Sequence, residues 1–299
     1  MSFIAGIGKT NVDLLYADMK RIPNVGEEIY ADSFSVQLGG GLPGTLVNLA
    51  RLNVPVRLGT FLGDDLFSDY AKREFEKAHI EVHNFHHGTN LPVNITSAII
   101  LKDDRSFISY GELIKITAED QEAFYQMATG AAICYIENEE LADVYRQLKR
   151  EGTVLVYDTG WNDDMSLQHM EPLLSLADYY APNQKEAMKL TGTDSPEQAA
   201  FQLQAYFKKV IVKADRNGCY GLENGELFLV PPINDFTHVD STGAGDAFLA
   251  GFVYGLFHDY AFKECIMLGN ITGGKAVTAN GALSAYCTEE ELLLRFNQF

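Results

Sequence analysis

The chain has 299 residues, of which 46% are hydrophobic and 21% are charged, and its formal net charge is −18. This composition leaves ample apolar area to bury, so a disordered protein is excluded. Because the negative charge repels phosphate backbones and anionic lipid headgroups, we expect neither a nucleic acid nor a membrane surface as a partner.

The N-terminal segment enters an apolar strand within its first six residues. It has neither the basic segment nor the long apolar run of a signal peptide or membrane span, so we expect a cytoplasmic location. The four cysteines show no spacing typical of a metal site, and we expect them to be reduced and mostly buried.

Two early stretches, Glu27–Leu38 and Pro92–Gly111, alternate apolar with polar residues. A period of two is typical of half-exposed antiparallel strands. We interpret them as a small β-sheet lid, with strands inserted at about residues 14–38 and 90–112 into a single domain spanning residues 1–299. Two extra edge strands are the alternative. An exposed face of such a lid favours a homodimer formed through it.

From about residue 117 onward, apolar strand patterns alternate with amphipathic helix patterns. The predicted strands are Ala131–Ile136, Val154–Asp158, Tyr179–Pro182 and Val210–Lys213. The predicted helices are Glu139–Arg150, Pro196–Phe207, Gly243–Gly255 and Phe262–Ala279. This order predicts an α/β fold: a central, mostly parallel β-sheet flanked by helices on both faces, with the small β-sheet lid added.

The segment Asp240-Ser-Thr-Gly-Ala-Gly-Asp246 follows an extended stretch and opens a long apolar helix. Its small residues let backbone N–H groups approach a ligand, and the helix N-terminus adds positive potential, so the segment predicts an anion hole. A carboxylate at Asp246 can take a proton from an alcohol while the hole stabilises negative charge on the transferred group. The alternative is that Asp246 only stabilises the helix dipole.

Two other glycine patterns suggest different functions. Gly8-Lys9-Thr10 ends like a phosphate-binding P-loop, but Phe3 stands where that motif requires its first glycine. Gly39–Gly44 satisfies the GxGxxG pattern of nicotinamide-dependent oxidoreductases, and Asp64 lies at a suitable spacing for a ribose contact. However, this loop follows a lid-like strand rather than the first strand of a βαβ unit. An oxidoreductase and a non-catalytic sugar sensor are therefore the alternatives to a phosphotransferase.

With these residues the chain resembles the ribokinase-like (PfkB-type) carbohydrate kinases, from Phe3 to the C-terminal helix. The resemblance implies ATP-dependent phosphorylation of a hydroxyl group on a small sugar or sugar-like molecule, with Mg²⁺ as cofactor. It further implies Asp246 as the general base and the amides of Gly243, Ala244 and Gly245 as the anion hole.

The resemblance also implies sugar-binding residues in the N-terminal part of the chain. Asp13 corresponds to a carboxylate that accepts hydrogen bonds from two substrate hydroxyls, and at Gly39 and Gly40 the backbone approaches the sugar because no Cβ intervenes. The chain departs from the family at Gly44, where relatives have a substrate-binding Asn. Asn48, one helical turn later, either substitutes in part for that Asn or simply faces the solvent or the core. The implied sugar-binding set is Asn11, Asp13, Gly39, Gly40, Gly44 and Glu137.

Three further residues lie at or after predicted strand ends. Glu137 falls where relatives place a sugar-contacting acid, and the alternative is a solvated Glu137 beside a helix cap at Asn138. Asp158 ends the next strand at the carboxyl edge, where α/β sheets bind ligands. Trp161 either stacks on a sugar face or packs against other side chains.

The nucleotide side of the site is implied by two segments in the second half of the chain. Asn183 and Glu186 resemble the family's Asn-x-x-Glu motif, which orders water around Mg²⁺ and the ATP phosphates and also fits a helix capping box. The turn after Lys213 resembles the nucleotide-binding turn, with Asp215 filling a left-handed glycine position. The implied ATP-binding set is Asn183, Lys213, Asp215, Gly218 and Asn270, and a monovalent cation such as K⁺ is implied at Asp240, Thr242 and Gly281.

Overall fold

The computed structural model describes residues 2–101, 105–160, 164–233 and 235–298. Within these ranges the chain forms ten α-helices, thirteen strands and two short 3₁₀ turns at Glu139–Leu141 and Asp215–Asn217. The strands are β1 (Ile4–Ile7), β2 (Asn11–Met19), β3 (Ser33–Leu38), β4 (Val56–Thr60), β5 (Glu81–Asn84), β6 (Asn94–Leu101), β7 (Arg105–Tyr110), β8 (Ile133–Ile136), β9 (Val154–Tyr157), β10 (Tyr179–Tyr180), β11 (Lys209–Lys213), β12 (Cys219–Glu223) and β13 (Glu226–Val230). The helices are α1 (Leu42–Arg51), α2 (Leu66–Lys77), α3 (Ala118–Ala128), α4 (Ala142–Arg150), α5 (Leu167–Leu174), α6 (Gln184–Thr191), α7 (Pro196–Leu203), α8 (Ala244–Phe257), α9 (Phe262–Ala276) and α10 (Glu289–Phe296).

The central sheet is parallel throughout the described ranges, with strand order β10-β9-β8-β1-β4-β5. Successive side chains of a strand point to opposite faces, so Ile4 packs in one hydrophobic core and Ala5 in the other. Helices α1, α2, α8, α9 and α10 contribute to the first core, and α3 to α7 contribute to the second. The predicted α/β fold with helices on both faces is confirmed.

A second sheet has the strand order β3-β2-β6-β7 in the described ranges. Strand β2 pairs parallel with β6 and antiparallel with β3, while β6 and β7 form an antiparallel pair. Only the end of the predicted Glu27–Leu38 strand is formed, because the Glu27 carboxylate accepts hydrogen bonds from Arg21 and Asn24 and closes a local turn instead. Alternation alone did not reveal this competing turn.

A third sheet has the order β11-β12-β13 and is antiparallel. The sequence did not predict this sheet, and the predicted strand Val210–Lys213 lies in it as β11 rather than in the parallel sheet. The β12–β13 hairpin turns at Asn224 and Gly225, which have φ angles of 53° and 81°. Positive φ at both positions is the geometry that Asn-Gly favours in a two-residue hairpin. The sheet is joined to the end of β10 through a bridge between Asn183 and Lys213.

The parallel arrangement brings the carboxyl ends of β1, β8, β9 and β10 to one edge of the central sheet. Helix α8 begins there with Gly243 as its N-cap, in a left-handed conformation with a φ of 76°. A Cβ at Gly243 would come within 2.3 Å of the Ala282 carbonyl oxygen, so glycine is required. No helix in the described ranges is long and apolar enough to cross a membrane.

Candidate active site

A cleft of about 1440 Å³ opens at the carboxyl edge of the central sheet. It is bounded by the N-terminus of α8, by the residues that follow β8 and β9, and by the turn after β11. Eleven of the residues implied by the sequence line it, namely Glu137, Asn183, Glu186, Lys213, Asp215, Gly218, Gly243, Ala244, Gly245, Asp246 and Asn270. Ligands of open α/β sheets bind at this edge, so the cleft is the candidate active site.

Asp246 lies in the first turn of α8, at the junction between the cleft and the glycine loop that precedes α1. Its Oδ2 accepts a hydrogen bond of 2.9 Å from the backbone N–H of Gly41. A Cβ on Gly40 would stand 2.2 Å from the same oxygen, so only glycine allows this approach. The N-terminus of α1 therefore faces a carboxylate. A dinucleotide pyrophosphate bound there would meet that negative charge, which argues against the oxidoreductase alternative.

The pKa of Asp246 is raised from 3.8 to about 7. Burial is the main cause, and the carboxylates of Asp158 and Asp13 raise it further. The Gly41 N–H and the Lys213 ammonium act in the opposite direction. A carboxyl group with this pKa can take and release a proton near neutral pH, which a general base requires. Stabilisation of the helix dipole alone does not account for this environment.

Glu137 and Asp158 reach the cleft because each lies two residues after a buried strand residue on the α8 face of the sheet, Tyr135 and Val156 respectively. The Glu137 side chain is exposed to solvent, as the solvated alternative predicts. Partial desolvation, together with the carboxylates of Asp158 and Asp246, raises the pKa of its carboxyl group to about 7. Asn138 makes no side-chain capping hydrogen bond to the following turn.

Lys213 supplies positive charge beside the carboxylates of the cleft. Its Nζ lies 3.9 Å from Asp158 Oδ1, and its side chain is 15% exposed. The ammonium partly offsets the increase in the pKa values of Asp246 and Glu186. Lys213 is positioned by its backbone N–H, which donates to the Pro182 carbonyl at the end of β10.

Asn183 and Glu186 form the predicted capping box of α6. Asn183 Oδ1 accepts the N–H groups of Lys185 and Glu186, and Glu186 Oε2 accepts the Asn183 N–H at 2.8 Å. Burial of Glu186 raises the pKa of its carboxyl group. The motif thus anchors the helix and leaves a carboxylate at the wall of the cleft.

The turn after β11 has the conformation expected from the sequence. Asp215 has a φ of 50°, so it fills a left-handed position, and its Oδ2 accepts a hydrogen bond of 2.7 Å from Gln184. Gly218 has a φ of 93°, and a Cβ there would lie 2.2 Å from the Val230 carbonyl oxygen. Asn270 lines the cleft, but its Nδ2 donates to the carbonyls of Val230 and Pro231. That side chain holds the cleft wall in place.

Of the residues predicted to bind sugar, only Glu137 lines the cleft; Asn11, Asp13, Gly39, Gly40 and Gly44 lie around the glycine loop, whose Gly41 lines it. Asn11 is the first residue of β2 and Asp13 the third, and Asn11 Nδ2 donates to the Gly40 carbonyl at 3.2 Å. A Cβ on Gly39 would stand 2.8 Å from Asp13 Oδ1, so the loop backbone lies directly on that carboxylate. Burial raises the pKa of Asp13 to about 6.

Gly44 lies inside α1, where its backbone is helical rather than left-handed. A Cβ there would be 3.0 Å from the Gly39 carbonyl oxygen and 3.8 Å from Asp246 Oδ2. Asn48, one turn later, is buried, and its Nδ2 has no hydrogen-bond partner in the described ranges. Trp161 lies outside the described residues.

Asp240 and Gly281 lie behind the anion hole. Asp240 Oδ1 accepts the backbone N–H and the hydroxyl of Thr242, and its Oδ2 accepts the Gly281 N–H at 2.9 Å. Oδ1 also forms an ion pair with Arg105, at the start of β7. Sequence reasoning missed Arg105 because nothing local connects it with a loop 135 positions further on.

The oxygen atoms at the nucleotide end of the cleft fit a magnesium ion. Glu186 and Asp158 both present carboxylates there, and Asp158 Oδ1 has no hydrogen-bond partner in the described part of the chain. Within the same ranges no three metal-ligating side chains converge. Mg²⁺ keeps several water ligands and binds one or two carboxylates together with substrate phosphates, so this sparse donor set suits it.

Comparison with known proteins extends the resemblance to the whole chain. The sequence is 24% identical to mouse ribokinase over 307 aligned positions, covering 96% of this chain and 93% of the relative. It is equally 24% identical to the 2-dehydro-3-deoxygluconokinase of Bacillus subtilis, covering 87% and 86% of the two chains. The fold superposes on the structure of Arabidopsis thaliana ribokinase complexed with ribose and ATP with a TM-score of 0.82, at 22% identity and full coverage of both chains. Residues 1–289 match the model of the pfkB family carbohydrate kinases, and the chain therefore belongs to this family.

Proposed function

We propose that this chain transfers the γ-phosphoryl group of ATP to a hydroxyl group of a small sugar or sugar-like molecule, with Asp246 as the general base. The position of Asp246 is the observation that carries the proposal. Its carboxylate joins the anion hole at the N-terminus of α8 to the glycine loop on the sugar side. A base at this position would lie between the hydroxyl group of the sugar and the γ-phosphoryl group of ATP.

The reaction needs a proton acceptor beside the attacking hydroxyl and donors around the transferred phosphoryl group. Asp246 removes the hydroxyl proton as the oxygen forms a bond to the γ-phosphorus, while the bond from that phosphorus to ADP breaks. The backbone N–H groups of Gly243, Ala244 and Gly245 and the Lys213 ammonium stabilise the negative charge on the phosphoryl oxygens. Protonated Asp246 then returns its proton to solvent.

Magnesium ion, when bound with ATP, supplies positive charge that neutralises the phosphate oxygens. Glu186 and Asp158, which both line the cleft, are the residues that would hold this ion. Lys213 reduces the repulsion between these carboxylates and the nucleotide, because its ammonium faces both of them.

The sugar end of the cleft is acidic and rich in hydrogen-bond acceptors. Asp13 and Glu137 accept hydrogen bonds from substrate hydroxyl groups, and the glycine loop brings backbone groups against the sugar. Their raised pKa values mean that each carboxylate is costly to desolvate, and a polyhydroxyl substrate supplies the missing donors. The mouse and Bacillus relatives carry different substrate names at equal identity, so relatedness does not select the sugar.

An assay of ADP release tests this function. Purified protein is incubated with Mg²⁺, ATP and, in separate wells, pentoses, hexoses, ketoses, keto-sugar acids and nucleosides. We expect one group to stimulate ADP release strongly, and Asp246→Asn to lower kcat by about 10²- to 10⁴-fold with that substrate. The matched control is Asp259→Asn, an exposed carboxylate just beyond the other end of α8, which we expect to retain wild-type activity.

The pH dependence provides a second measurement. Because the pKa of Asp246 is about 7, kcat/KM should rise as the pH increases through this value and level off above it. Wild-type activity in Asp246→Asn would exclude the proposed base. Tight binding of NAD(H), with no binding of ATP, would instead support the oxidoreductase alternative, and sugar binding without ADP release would support the sensor.

A further inference from the structure

The ion pair between Arg105 and Asp240 connects two parts of the chain that meet behind the anion hole. Asp240 is 7% exposed and begins the Asp240–Asp246 segment, which leads into α8. Arg105 comes from the edge strand β7 of the second sheet, and its side chain is 35% exposed. A buried carboxylate is unfavourable unless a positive charge and hydrogen-bond donors compensate for lost hydration.

The donors around Asp240 leave little room for an additional cation. Oδ1 receives the Thr242 N–H at 3.1 Å, the Thr242 hydroxyl at 2.9 Å and the Arg105 guanidinium. Oδ2 receives the Gly281 N–H at 2.9 Å. Oδ1 already accepts three donors and has no free lone pair for a metal ion, whereas Oδ2 accepts one N–H. The Arg105 guanidinium also supplies the positive charge that a monovalent cation would bring to this carboxylate. The pair Asp240 and Arg105 therefore does not fit the monovalent cation that the sequence resemblance implied.

The second sheet also contacts the neighbouring loop that contains Gly281. Gln37 of β3 accepts a hydrogen bond of 2.7 Å from the Ser284 hydroxyl through its Oε1. A Cβ on Gly281 would lie 2.3 Å from that same oxygen and 2.8 Å from Leu15 Cδ1 of β2. Strands β2, β3 and β7 thus all reach the two loops behind the anion hole.

We propose that the Arg105 guanidinium is a built-in counter-ion for Asp240, which holds the anion-hole segment in its active geometry and makes the enzyme independent of monovalent cations. Arg105 is a positioning residue, because it acts through Asp240 and the backbone that leads to α8. The charge that a dissolved ion would otherwise supply is attached to the second sheet. Placement of that sheet and the geometry of the anion hole are consequently coupled.

The test compares K⁺ with tetramethylammonium, a cation too large for a site between side chains, at equal ionic strength. Melting temperature is one readout, and it does not require a known substrate. The other is kcat for ADP release, which rests on the proposed function. The proteins are wild type, Arg105→Gln, Arg105→Lys and the control Arg73→Gln, which changes an exposed arginine of α2.

We expect wild type, Arg105→Lys and Arg73→Gln to give the same melting temperature and kcat in both salts. Arg105→Gln leaves Asp240 without its counter-ion, so it should melt at a lower temperature in tetramethylammonium and regain stability in K⁺, which now binds the folded state. Its kcat should fall at least about 10-fold in tetramethylammonium and recover in K⁺ while KM for the sugar stays unchanged, as expected for a disturbed anion hole.

Three results would overturn the proposal. The first is a wild-type kcat or melting temperature that rises with K⁺, because a cation would then bind with Arg105 in place. The second is an Arg105→Gln variant that matches wild type in tetramethylammonium. The third is a folded Arg105→Gln variant whose loss is restored neither by K⁺ nor in Arg105→Lys. Absence of kinase activity in wild type on every sugar refutes the proposed function instead, and the melting temperatures still decide the role of Arg105.

Discussion

Replacing Asp246 with Asn should stabilise the folded chain above neutral pH, although it removes the proposed base. The pKa of Asp246 is raised from 3.8 to about 7 by burial and by neighbouring carboxylates. For a carboxyl group with a raised folded-state pKa, the stability contributed by protonation is fully present below pH 3.8 and is lost as the pH rises through about 7. Asn stays neutral at every pH, so it avoids this loss.

The size of the effect follows from the shift of about three pKa units, at about 1.4 kcal/mol for each unit. Integrating between the two pKa values gives a stabilisation of about 4 kcal/mol at pH 8, about 1.5 kcal/mol at pH 5 and under about 1 kcal/mol at pH 4. The Asn side-chain oxygen can still accept the Gly41 N–H, so the hydrogen bond across the site remains. For a chain of this size the gain at pH 8 corresponds to an increase in melting temperature of about 6 °C.

Urea denaturation followed by circular dichroism between pH 5 and pH 8 measures this difference. Asp240→Asn is the matched comparison, because hydrogen bonds from Gly281 and Thr242 and the charge of Arg105 outweigh burial and hold the pKa of Asp240 below 3.8. Its ionised form stabilises the fold above pH 3.8, and this stability is lost as the pH falls through the lowered pKa, so Asp240→Asn should destabilise the fold at pH 7. If Asp246→Asn were neutral or destabilising at pH 8, or if its gain did not shrink at pH 5, the desolvation argument would be refuted.

Substitutions at three further positions, Gly44, Gly40 and Lys213, test the proposed site by steady-state kinetics. Gly44→Asn should lower kcat/KM for the native sugar by about 10-fold or more and leave KM for ATP unchanged. Gly44→Ala is the control, because it adds only the Cβ that lies 3.0 Å from the Gly39 carbonyl oxygen. An unaltered sugar preference in folded Gly44→Asn would contradict a role of this position in substrate recognition. Gly40→Ala should lower kcat and change KM for the sugar much less, because the added Cβ would displace the Asp246 carboxylate. A wild-type kcat in this variant would contradict the prediction. Lys213→Gln should raise KM for ATP about 10-fold and reduce kcat, and a change confined to sugar KM would place Lys213 elsewhere.

Hydrophobic periodicity predicted the N-terminal strand and β8, β9 and β10 of the central sheet, because these are short apolar runs. It gave no prediction for β4 and β5, and it placed β11 in the wrong sheet. It failed at residues 27–32, where a carboxylate closes a turn with nearby donors and no strand forms. The sequence Asn224-Gly225 is typical of a two-residue hairpin turn and could have predicted the β12–β13 hairpin, but a pattern of alternating helices and strands does not include such a hairpin. Local turns formed by polar side chains and glycine therefore account for these last two differences between the predicted and the observed strands.

For the site, local motifs predicted the residues whose roles depend on local backbone geometry. Asp246 follows its glycines at a helix N-terminus, and Asn183 caps α6. Contacts between distant segments could not be predicted in this way. Arg105 resembles any exposed strand arginine in the sequence, and Asn270 gave no indication that its amide binds the β13 carbonyls. One chain without aligned homologues contains no information about such pairings.

The hydrogen bond from Gly41 to Asp246 has a consequence for the order in which the protein folds during synthesis. The two residues are 205 positions apart. In contrast, the second sheet pairs residues of the first third of the chain, such as Asn11 with Asn94. Contacts with a sequence separation as long as that between Gly41 and Asp246 form late, because the chain between them must be ordered or looped out first. During translation the glycine loop and the second sheet are therefore made well before the helix α8 that contacts the loop. The proposed site is completed only when α8 has left the ribosome.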